Sequence, residues 1–245
     1  MFSKKLLSRL KNAYSVTVLT GAGVSAESGV PTFRGKDGLW QNNKVEELAT
    51  IDALNNNPRL FWDFYNWRRE LLKDIKPNLA HYALVDFEKY FGEFLLITQN
   101  IDNLHITAGS TKIIEIHGNI NRNKCSKCNK IVVNYDLDKN KIPICSVCSS
   151  LIRPDVILFG ENLDQKYLNS ARQASAECEV FFSIGTSGVV EPAASLPFLA
   201  IANGSYVVEI NAEETPLSQK AHETIRGPAG KILPQLAIIL EKMFS

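Results

Sequence analysis

Short hydrophobic runs of strand length recur along this chain, and small or polar residues follow each of them. The first is Val16-Thr17-Val18-Leu19-Thr20, a β-branched run that ends at Gly21. Continuous apolar runs of this length are typical of strands buried on both faces of a sheet. The same pattern predicts further strands at residues 94–98, 113–116, 156–159, 180–184 and 206–210.

Apolar residues at helical spacing separate these strands. Leu6, Leu7 and Leu10 predict an amphipathic helix, which we favour over a transit peptide because the first strand follows at once. Other helices are predicted at residues 45–54, 57–73, 77–87 and 230–243, and Leu79, Tyr82 and Ala83 are expected on the buried side of the third. Alternating strands and helices predict an α/β fold with a doubly wound, Rossmann-like parallel sheet.

Ligands bind such sheets at the carboxyl ends of the strands. In this chain those ends carry small or polar residues, which we interpret as one site: Gly21-Ala22-Gly23, Gln99-Asn100-Ile101-Asp102, His117-Gly118, Gly185-Thr186-Ser187 and Asn211.

The turn after the first strand has glycines in the pattern G-x-G-x-x-A. Such a turn lets backbone N–H groups approach a diphosphate, although the pattern alone is also typical of an ordinary strand–helix turn. A dehydrogenase would have an acidic second-strand end roughly 20 residues later. Here a loop is predicted from Gly21 to Gly38, with Pro31 and Gly35 inside it. We therefore predict a dinucleotide site with a long loop at its mouth.

Composition narrows the choice of partners. The chain has 245 residues, of which 45% are hydrophobic and 22% charged, enough for a large core. A net charge of +1 indicates no general attraction to nucleic acid or acidic membranes. No apolar run is long enough to cross a bilayer. We therefore expect no specific nucleic-acid partner and no membrane partner. We also expect a monomer, although the sequence contains no firm signal for the oligomeric state.

Four of the five cysteines form two tight pairs, Cys125-x2-Cys128 and Cys145-x2-Cys148, with sixteen residues between them. This spacing predicts a structural zinc site made of four thiolates. Two disulfides or a redox Cys-x-x-Cys are the alternatives. The inserted module at residues 119–151 has few large apolar side chains, so the metal would hold it together. Cys178 is expected to be a packing residue, and a reducing cytoplasm is the expected compartment.

Among the four histidines, His117 stands at a predicted strand end beside a glycine. Its ordinary pKa of about 6.5 suits a general base, and the alternative is a histidine that only hydrogen-bonds a loop. His81 is expected to be structural and His222 to be on the surface. His105 is expected either to line the site or to shape its loop.

These motifs together resemble the sirtuins, the NAD-dependent protein deacylases. Residues 21–34 resemble the first signature of that family, residues 98–105 the second, and Glu115-Ile116-His117-Gly118 the catalytic histidine motif. The cysteine pairs, Val156-x2-Phe159-Gly160-Glu161 and Gly185-Thr186-Ser187 complete the series in the family's order, from about Val16 to Leu233.

The resemblance implies that NAD lies across the strand ends and is consumed. The acyl oxygen of a modified lysine would attack the ribose carbon, and His117 would take a proton from the ribose hydroxyls. A ribose hydroxyl would then attack the acyl carbon, and water would complete the reaction, releasing free lysine, nicotinamide and acylated ADP-ribose. The implied NAD-binding residues are Gly21, Ala22, Gly23, Glu27, Thr32, Phe33, Arg34, Trp40, Gln99, Asn100, Ile101, Asp102, Gly185, Thr186, Ser187, Asn211, Ala212, Glu213 and Ala229.

The same resemblance implies protein substrates that carry an acyl-lysine. Their backbone would pair with the segment that contains Val156, Phe159, Gly160 and Glu161. It also implies one catalytic core, with a large NAD-binding domain (residues 1–35, 76–118 and 154–245) and a small domain (residues 36–75 and 119–153).

Tyr65 and Arg68 are three residues apart in a predicted helix and share a face. A phenol and a guanidinium side by side can bind a carboxylate, although the residues alone favour a solvated face. The pair resembles the Tyr-x-x-Arg pair of the sirtuin branch that removes succinyl and malonyl groups. Ala49 matches the small residue that widens the acyl pocket there, and Arg69 would point away. This resemblance implies a preference for acidic acyl groups with some deacetylase activity.

Other functions stay open on the sequence. Protein mono-ADP-ribosyl transfer would use the same NAD site, and a deacetylase without acidic preference would use the same motifs. A hydride-transferring dehydrogenase is disfavoured by the missing acidic strand end. A zinc-ribbon binding module would leave the glycine turn and His117 without a purpose.

Overall fold

A computed structural model describes the chain over residues 2–31, 48–132 and 141–245. Six of its strands form one sheet in the order β3-β2-β1-β7-β8-β9, and every neighbouring pair is parallel. The strands are β1 (Ser15–Thr20), β2 (Glu93–Thr98), β3 (Ile113–Glu115), β7 (Val180–Ile184), β8 (Tyr206–Asn211) and β9 (Glu223–Arg226). The predicted doubly wound parallel sheet is confirmed.

A second, smaller sheet is antiparallel and has the order β5-β4-β6. It contains β4 (Gly118–Cys125), β5 (Ile131–Val132) and β6 (Ile152–Val156). The large sheet and the small one meet at the short connection between β3 and β4, which contains His117. The division into a large and a small domain stays a prediction.

The helices pack against the two sheets. They are α1 (Lys4–Asn12), α2 (Ala22–Ser25), α3 (Ile51–Asn56), α4 (Pro58–Leu72), α5 (Leu79–Phe87), α6 (Leu104–Ala108), α7 (Gln165–Glu177), α8 (Leu196–Ala202) and α9 (Ala229–Phe244), with 3-10 turns at Ala26–Ser28 and Ala193–Ser195. In the described part of the chain, none of the helices has the length and apolarity needed to cross a bilayer.

The apolar runs are buried as their pattern predicts. β1 lies in the middle of the sheet between β2 and β7, and Val16 to Thr20 are all buried. Leu6 and Leu10 of α1 are fully buried in the same core, which confirms the amphipathic helix. Burial of large aliphatic side chains contributes roughly 1.5–3 kcal/mol each.

The expected buried side of α5 is wrong in two of its three residues. Leu79 and Tyr82 are exposed, and the buried face consists of Ala80, His81, Ala83, Leu84 and Phe87. α5 begins at Leu79, directly after the N-cap Asn78, whose side chain accepts from Ala80 N. Because the helix is capped at Asn78, His81 points inward. A polar residue therefore lies on the buried face, where apolar periodicity had placed Leu79 and Tyr82.

Two strand predictions also need correction. The strand expected at residues 156–159 ends at Val156, because the next backbone N–H groups bond to different partners: Ile157 to His117 O, Leu158 to the Glu161 carboxylate and Phe159 to Ala49 O. The edge strand β9 has one apolar residue, Ile225, and so gave no sequence signal. Part of the predicted loop at 21–38 is helical, from Ala22 to Ser28.

Candidate functional site

The turns after β1 and β7 touch each other at the carboxyl edge of the sheet. Gly23 N donates to Gly185 O at 2.9 Å, and Gly21 N donates to Ile184 O at 3.1 Å. A Cβ at Gly23 would lie 2.8 Å from Gly185 Cα, and Gly185 itself has φ +61. The backbone contact therefore requires glycine on both sides. Ala22 begins α2 directly above this contact.

The loop after β2 brings two polar side chains under the glycine turn. Asn100 Nδ2 donates to Gly21 O at 3.0 Å and to Ser25 Oγ at 3.2 Å. Ser25 Oγ donates to Asp102 Oδ2 at 2.7 Å. All three side chains are buried, and burial raises the pKa of the Asp102 carboxyl. The result is a polar pocket floor beneath the glycine turn.

His117 lies beside this loop. Its Nδ1 is 3.0 Å from Gln99 O. Because a carbonyl oxygen only accepts, Nδ1 carries the proton and Nε2 keeps its lone pair. Burial lowers the pKa of His117, and the bond to Gln99 opposes that shift. A neutral ring with a free Nε2 lone pair is the form that a general base needs.

Ile101, between Asn100 and Asp102 in the loop after β2, connects this loop to the small sheet. Its carbonyl oxygen accepts a hydrogen bond from Ile120 N of β4 at 2.9 Å. Its side chain packs on the cluster that holds the small sheet together. The loop after β2 therefore contacts both sheets.

Two buried histidines support the floor from below. His81 Nε2 is 3.4 Å from Ser25 Oγ, and His105 Nε2 is 3.0 Å from Thr20 Oγ1. Their rings are in contact, with centroids 4.7 Å apart. His105 thus shapes the loop rather than lining the site. His222 is exposed and Cys178 is buried, as expected.

Ser25 is a site residue that sequence reasoning missed, whereas His81 has the structural role that was expected but supports Ser25, which was not foreseen. Ser25 stands inside the glycine signature, where only the glycines drew attention. The spacing of Asn78 and His81, which form a capping box, was the available signal that the histidine points inward.

The far half of the sheet edge carries other residues predicted from the sequence to bind NAD. Asn211 Nδ2 donates to Thr186 O at 2.7 Å, which ties the turns after β7 and β8 together. Ser187, Ala212 and Glu213 are exposed at this edge. Glu27 Oε2 accepts from Gly230 N at 2.5 Å, so its carboxylate caps α9 beside the buried Ala229.

Tyr65 and Arg68 lie on the buried face of α4, and the solvated-face interpretation is therefore wrong. They are 2% and 7% exposed. Burial raises the pKa of Tyr65 to about 12, so its hydroxyl is protonated at neutral pH. Burial lowers the pKa of Arg68, and electrostatic interactions with Tyr65 and Asp102 oppose that shift. Arg68 therefore lies close enough to Asp102, in the loop that carries Asn100, for the two side chains to interact electrostatically.

Ala49, Tyr65 and Val156 belong to one apolar cluster. Arg69 turns toward β4 instead, where its Nε donates to Ile120 O at 2.8 Å and its Nη2 to Asn123 Oδ1 at 2.7 Å.

The segment from Val156 to Glu161 follows the end of β6. Phe159 is half-exposed, and Phe159 N donates to Ala49 O at 2.9 Å, while Gly160 has φ +85. Glu161 points inward, and its carboxylate binds both nitrogens of the Arg153 fork at 2.6 Å each. Glu161 therefore holds this segment in place through Arg153.

The four paired cysteines converge at one end of the small sheet. Their sulfurs lie within 4.8 Å of one another, and Cys125 Sγ–Cys148 Sγ and Cys128 Sγ–Cys145 Sγ are 3.3 and 3.8 Å apart. All four are free thiols, so the disulfide alternative is excluded for this structure. A tetrahedral zinc with Zn–S bonds of about 2.3 Å separates its sulfurs by about 3.8 Å, so the cluster fits zinc.

Four implied NAD-binding residues, Thr32, Phe33, Arg34 and Trp40, lie outside the described residues, as does the loop from Gly35 to Lys44.

The chain resembles characterised proteins over nearly its whole length. The model of the Sir2 family matches residues 21–192. The NAD-dependent protein deacylase 1 of Caldanaerobacter subterraneus subsp. tengcongensis is 50% identical over 89% of this chain and 91% of its own length. The NAD-dependent protein deacylase of Pyrococcus furiosus is 47% identical over 89% of each chain.

Solved structures agree with these sequence matches. A Sir2 homologue in complex with NAD superposes with a TM-score of 0.93 and 41% identity, covering 100% of this chain and 96% of the other. A Sir2–p53 peptide–NAD complex superposes with a TM-score of 0.86 and 35% identity, covering 100% of both chains.

Proposed function

The chain belongs to the Sir2 family, and from this premise we propose that it is an NAD-dependent protein-lysine deacylase that prefers succinyl and malonyl groups over neutral acyl groups. NAD, when bound, supplies the ribose carbon that accepts the acyl oxygen as nicotinamide leaves. The related deacylases and the solved NAD complex support the cofactor. The solved complex with a p53 peptide supports a protein substrate.

We propose that NAD lies across the carboxyl edge of the large sheet, with its diphosphate at the turn of Gly21, Ala22 and Gly23. Close glycine contacts keep side chains out of this turn. Asn100 and Asp102 hold the nicotinamide end, because they are the buried polar groups on the pocket floor. Gly185, Thr186, Ser187, Asn211, Ala212 and Glu213 seat the adenosine half, with Glu27 and Ala229 behind the glycine turn.

His117 is the proposed general base. Its Nε2 accepts a proton from a ribose hydroxyl, which then attacks the acyl carbon. Gln99 O holds the ring in the required tautomer through Nδ1. Val156, Phe159 and Gly160 bind the peptide backbone, and the four cysteines hold a structural zinc away from the reacting atoms.

The observation that carries the acidic preference is the burial of Arg68 and Tyr65 beside the proposed nicotinamide loop. A buried guanidinium and a protonated phenol at the same site are suited to bind a carboxylate at the end of an acyl chain. Ala49, 7% exposed in the same cluster, leaves room for that chain.

The test is a paired assay in which one lysine peptide carries either acetyl or succinyl, with and without NAD. Mass spectrometry follows the peptide, nicotinamide and acylated ADP-ribose. We expect NAD-dependent loss of succinyl to exceed loss of acetyl. Loss of acetyl alone would remove the acidic preference and keep the deacylase. Labelled ADP-ribose left on protein would indicate mono-ADP-ribosyl transfer instead.

Arg68→Met tests the acyl pocket directly. Removing one partner of a desolvated charge interaction costs about 3 kcal/mol, so kcat/KM for the succinyl peptide should fall roughly a hundredfold. Acetyl turnover should fall far less. Arg59→Met is the matched control, because Arg59 lies on the same helix but its side chain is half-exposed and pairs with the half-exposed Asp63. Equal losses on both substrates would contradict the role of Arg68.

A further inference from the structure

One carboxylate joins the three segments that surround the proposed reaction centre. Glu115 ends β3, two residues before His117, and its side chain is only 9% exposed. Its Oε1 accepts from Asn119 Nδ2 at 2.5 Å, and its Oε2 accepts from Arg122 Nη1 at 2.6 Å. A buried carboxylate with two charge-assisted or polar donors is held in one orientation.

The first link runs to the loop after β2. Asn119 Nδ2 also donates to Asn103 Oδ1 at 2.7 Å. Asn103 has φ +70 and directly follows Asp102. A left-handed residue at this point turns the chain sharply, so its anchoring by Asn119 sets where the Asn100–Asp102 segment ends.

The second link runs to β6. Arg122 Nε binds Asp155 Oδ2 at 3.1 Å, and Lys124 Nζ binds Asp155 Oδ1 at 3.2 Å. Asp155 precedes Val156, where the proposed peptide-binding segment begins. Arg122 reaches it because the register of β4 against β6 shifts between Asn119 and Asn123.

His117 lies between the two links, at the crossing from β3 to β4. Gly118, with φ +82, leaves no room for a side chain, since a Cβ there would lie 2.1 Å from Asp155 O. His117 O accepts from Ile157 N at 2.9 Å. The turn that carries the proposed base is therefore bounded on one side by the β2 loop and on the other by β6.

We propose that Glu115 is a positioning residue that sets the nicotinamide loop and the peptide-binding segment on either side of His117, through Asn119 and Arg122 respectively. It touches neither NAD nor acyl-lysine. This inference rests on the proposed function, because it takes its two ligands from there.

The two links separate in binding experiments. NAD is titrated by calorimetry, and a fluorescein-labelled succinyl-lysine peptide by anisotropy, so neither readout depends on turnover. Arg122→Met should weaken the peptide about tenfold and change NAD binding by less than about twofold. Asn119→Ala should show the reverse pattern. Glu115→Ala should weaken both ligands.

A double-mutant cycle strengthens the test. If Glu115 acts on the peptide-binding segment through Arg122, the Glu115→Ala, Arg122→Met double variant should bind peptide about as weakly as the Arg122→Met single variant. Arg59→Met again removes an exposed guanidinium as the control.

Thermal unfolding is measured for every variant. A lowered Tm with both affinities unchanged would mean that the network is only structural and would overturn the proposal. Equal weakening of both ligands by Arg122→Met and Asn119→Ala would also overturn it. If the unsubstituted chain neither binds NAD nor removes an acyl group, the proposed function itself is wrong.

Discussion

At the scale of single residues, the protonation of His117 decides when the site can work. Gln99 O fixes the proton on Nδ1, and burial lowers the pKa of the ring below its ordinary value of about 6.5. The neutral form is the base, so it persists as the pH falls and is lost only below the lowered pKa.

The pH dependence of kcat/KM for deacylation should therefore have its acidic limb below pH 6.5, falling about tenfold per pH unit there. His117→Ala should abolish deacylation. His222→Ala, which changes an exposed ring, should leave the profile in place. An acidic limb above pH 6.5 in the unsubstituted protein would contradict the inferred protonation state.

At the scale of elements, the small sheet depends on its cysteines. Cys125 and Cys145 are buried in the cluster that also contains Phe61 of α4 and Ile152 of β6. A metal bound there would hold β4, β6 and α4 together, and α4 carries Tyr65 and Arg68. Loss of the metal should therefore disturb the positions of Tyr65 and Arg68 and leave the glycine turn after β1 unchanged.

Cys148→Ser should lose zinc and lower the Tm, since structural zinc supplies several kcal/mol of folding free energy. Zinc content is measured by mass spectrometry and unfolding by calorimetry. Cys178→Ala is the control: Cys178 lies in the core beside the large sheet, near Ser205 and apart from the four paired cysteines, so this variant should keep its zinc. An unsubstituted protein without bound zinc, or an unchanged Tm in Cys148→Ser, would contradict this role.

At the scale of the whole molecule, the buried histidines make folding depend on pH. Burial lowers the pKa of His81 to about 4, and the ring is completely buried. The unfolded chain titrates at about 6.5, so between these values it binds a proton that the native state does not. The contribution of His81 to the free energy of unfolding is therefore fully present above pH 6.5 and is lost as the pH falls through 4.

The difference between the folded and unfolded pKa of His81 corresponds to about 3 kcal/mol in the free energy of unfolding. Denaturant titrations between pH 7 and 4 should show a shallower pH dependence in His81→Gln than in the unsubstituted protein. His222→Gln is the comparison variant: its ring is exposed and its pKa is lowered less than that of His81, so it should change the slope less than His81→Gln does. An identical slope in His81→Gln would mean that another group carries the dependence.

Much of this architecture follows from the order of residues alone. Runs such as Val16–Thr20 are buried strands because they are β-branched or apolar and no charged residue interrupts them, and α/β alternation then leaves few topologies. The strand ends were predictable as one site because parallel strands all end at the same edge. The paired cysteines were recognisable because the spacing in each Cys-x2-Cys pair places both sulfurs on one side of a tight turn.

Only the tertiary structure decided which way the polar side chains point. Helical spacing places Tyr65 and Arg68 on one face but does not tell whether that face meets water or is buried. The hydrogen-bond partner of His81 is 56 residues away in the sequence, and the carboxylate partner of Ser25 is 77 residues away. Glu115 finds one partner only 4 residues away, but across the turn between two sheets. Local pattern determines what is apolar and therefore buried, whereas a buried polar group is specified by the partner that satisfies it, and that partner is chosen by the folded chain.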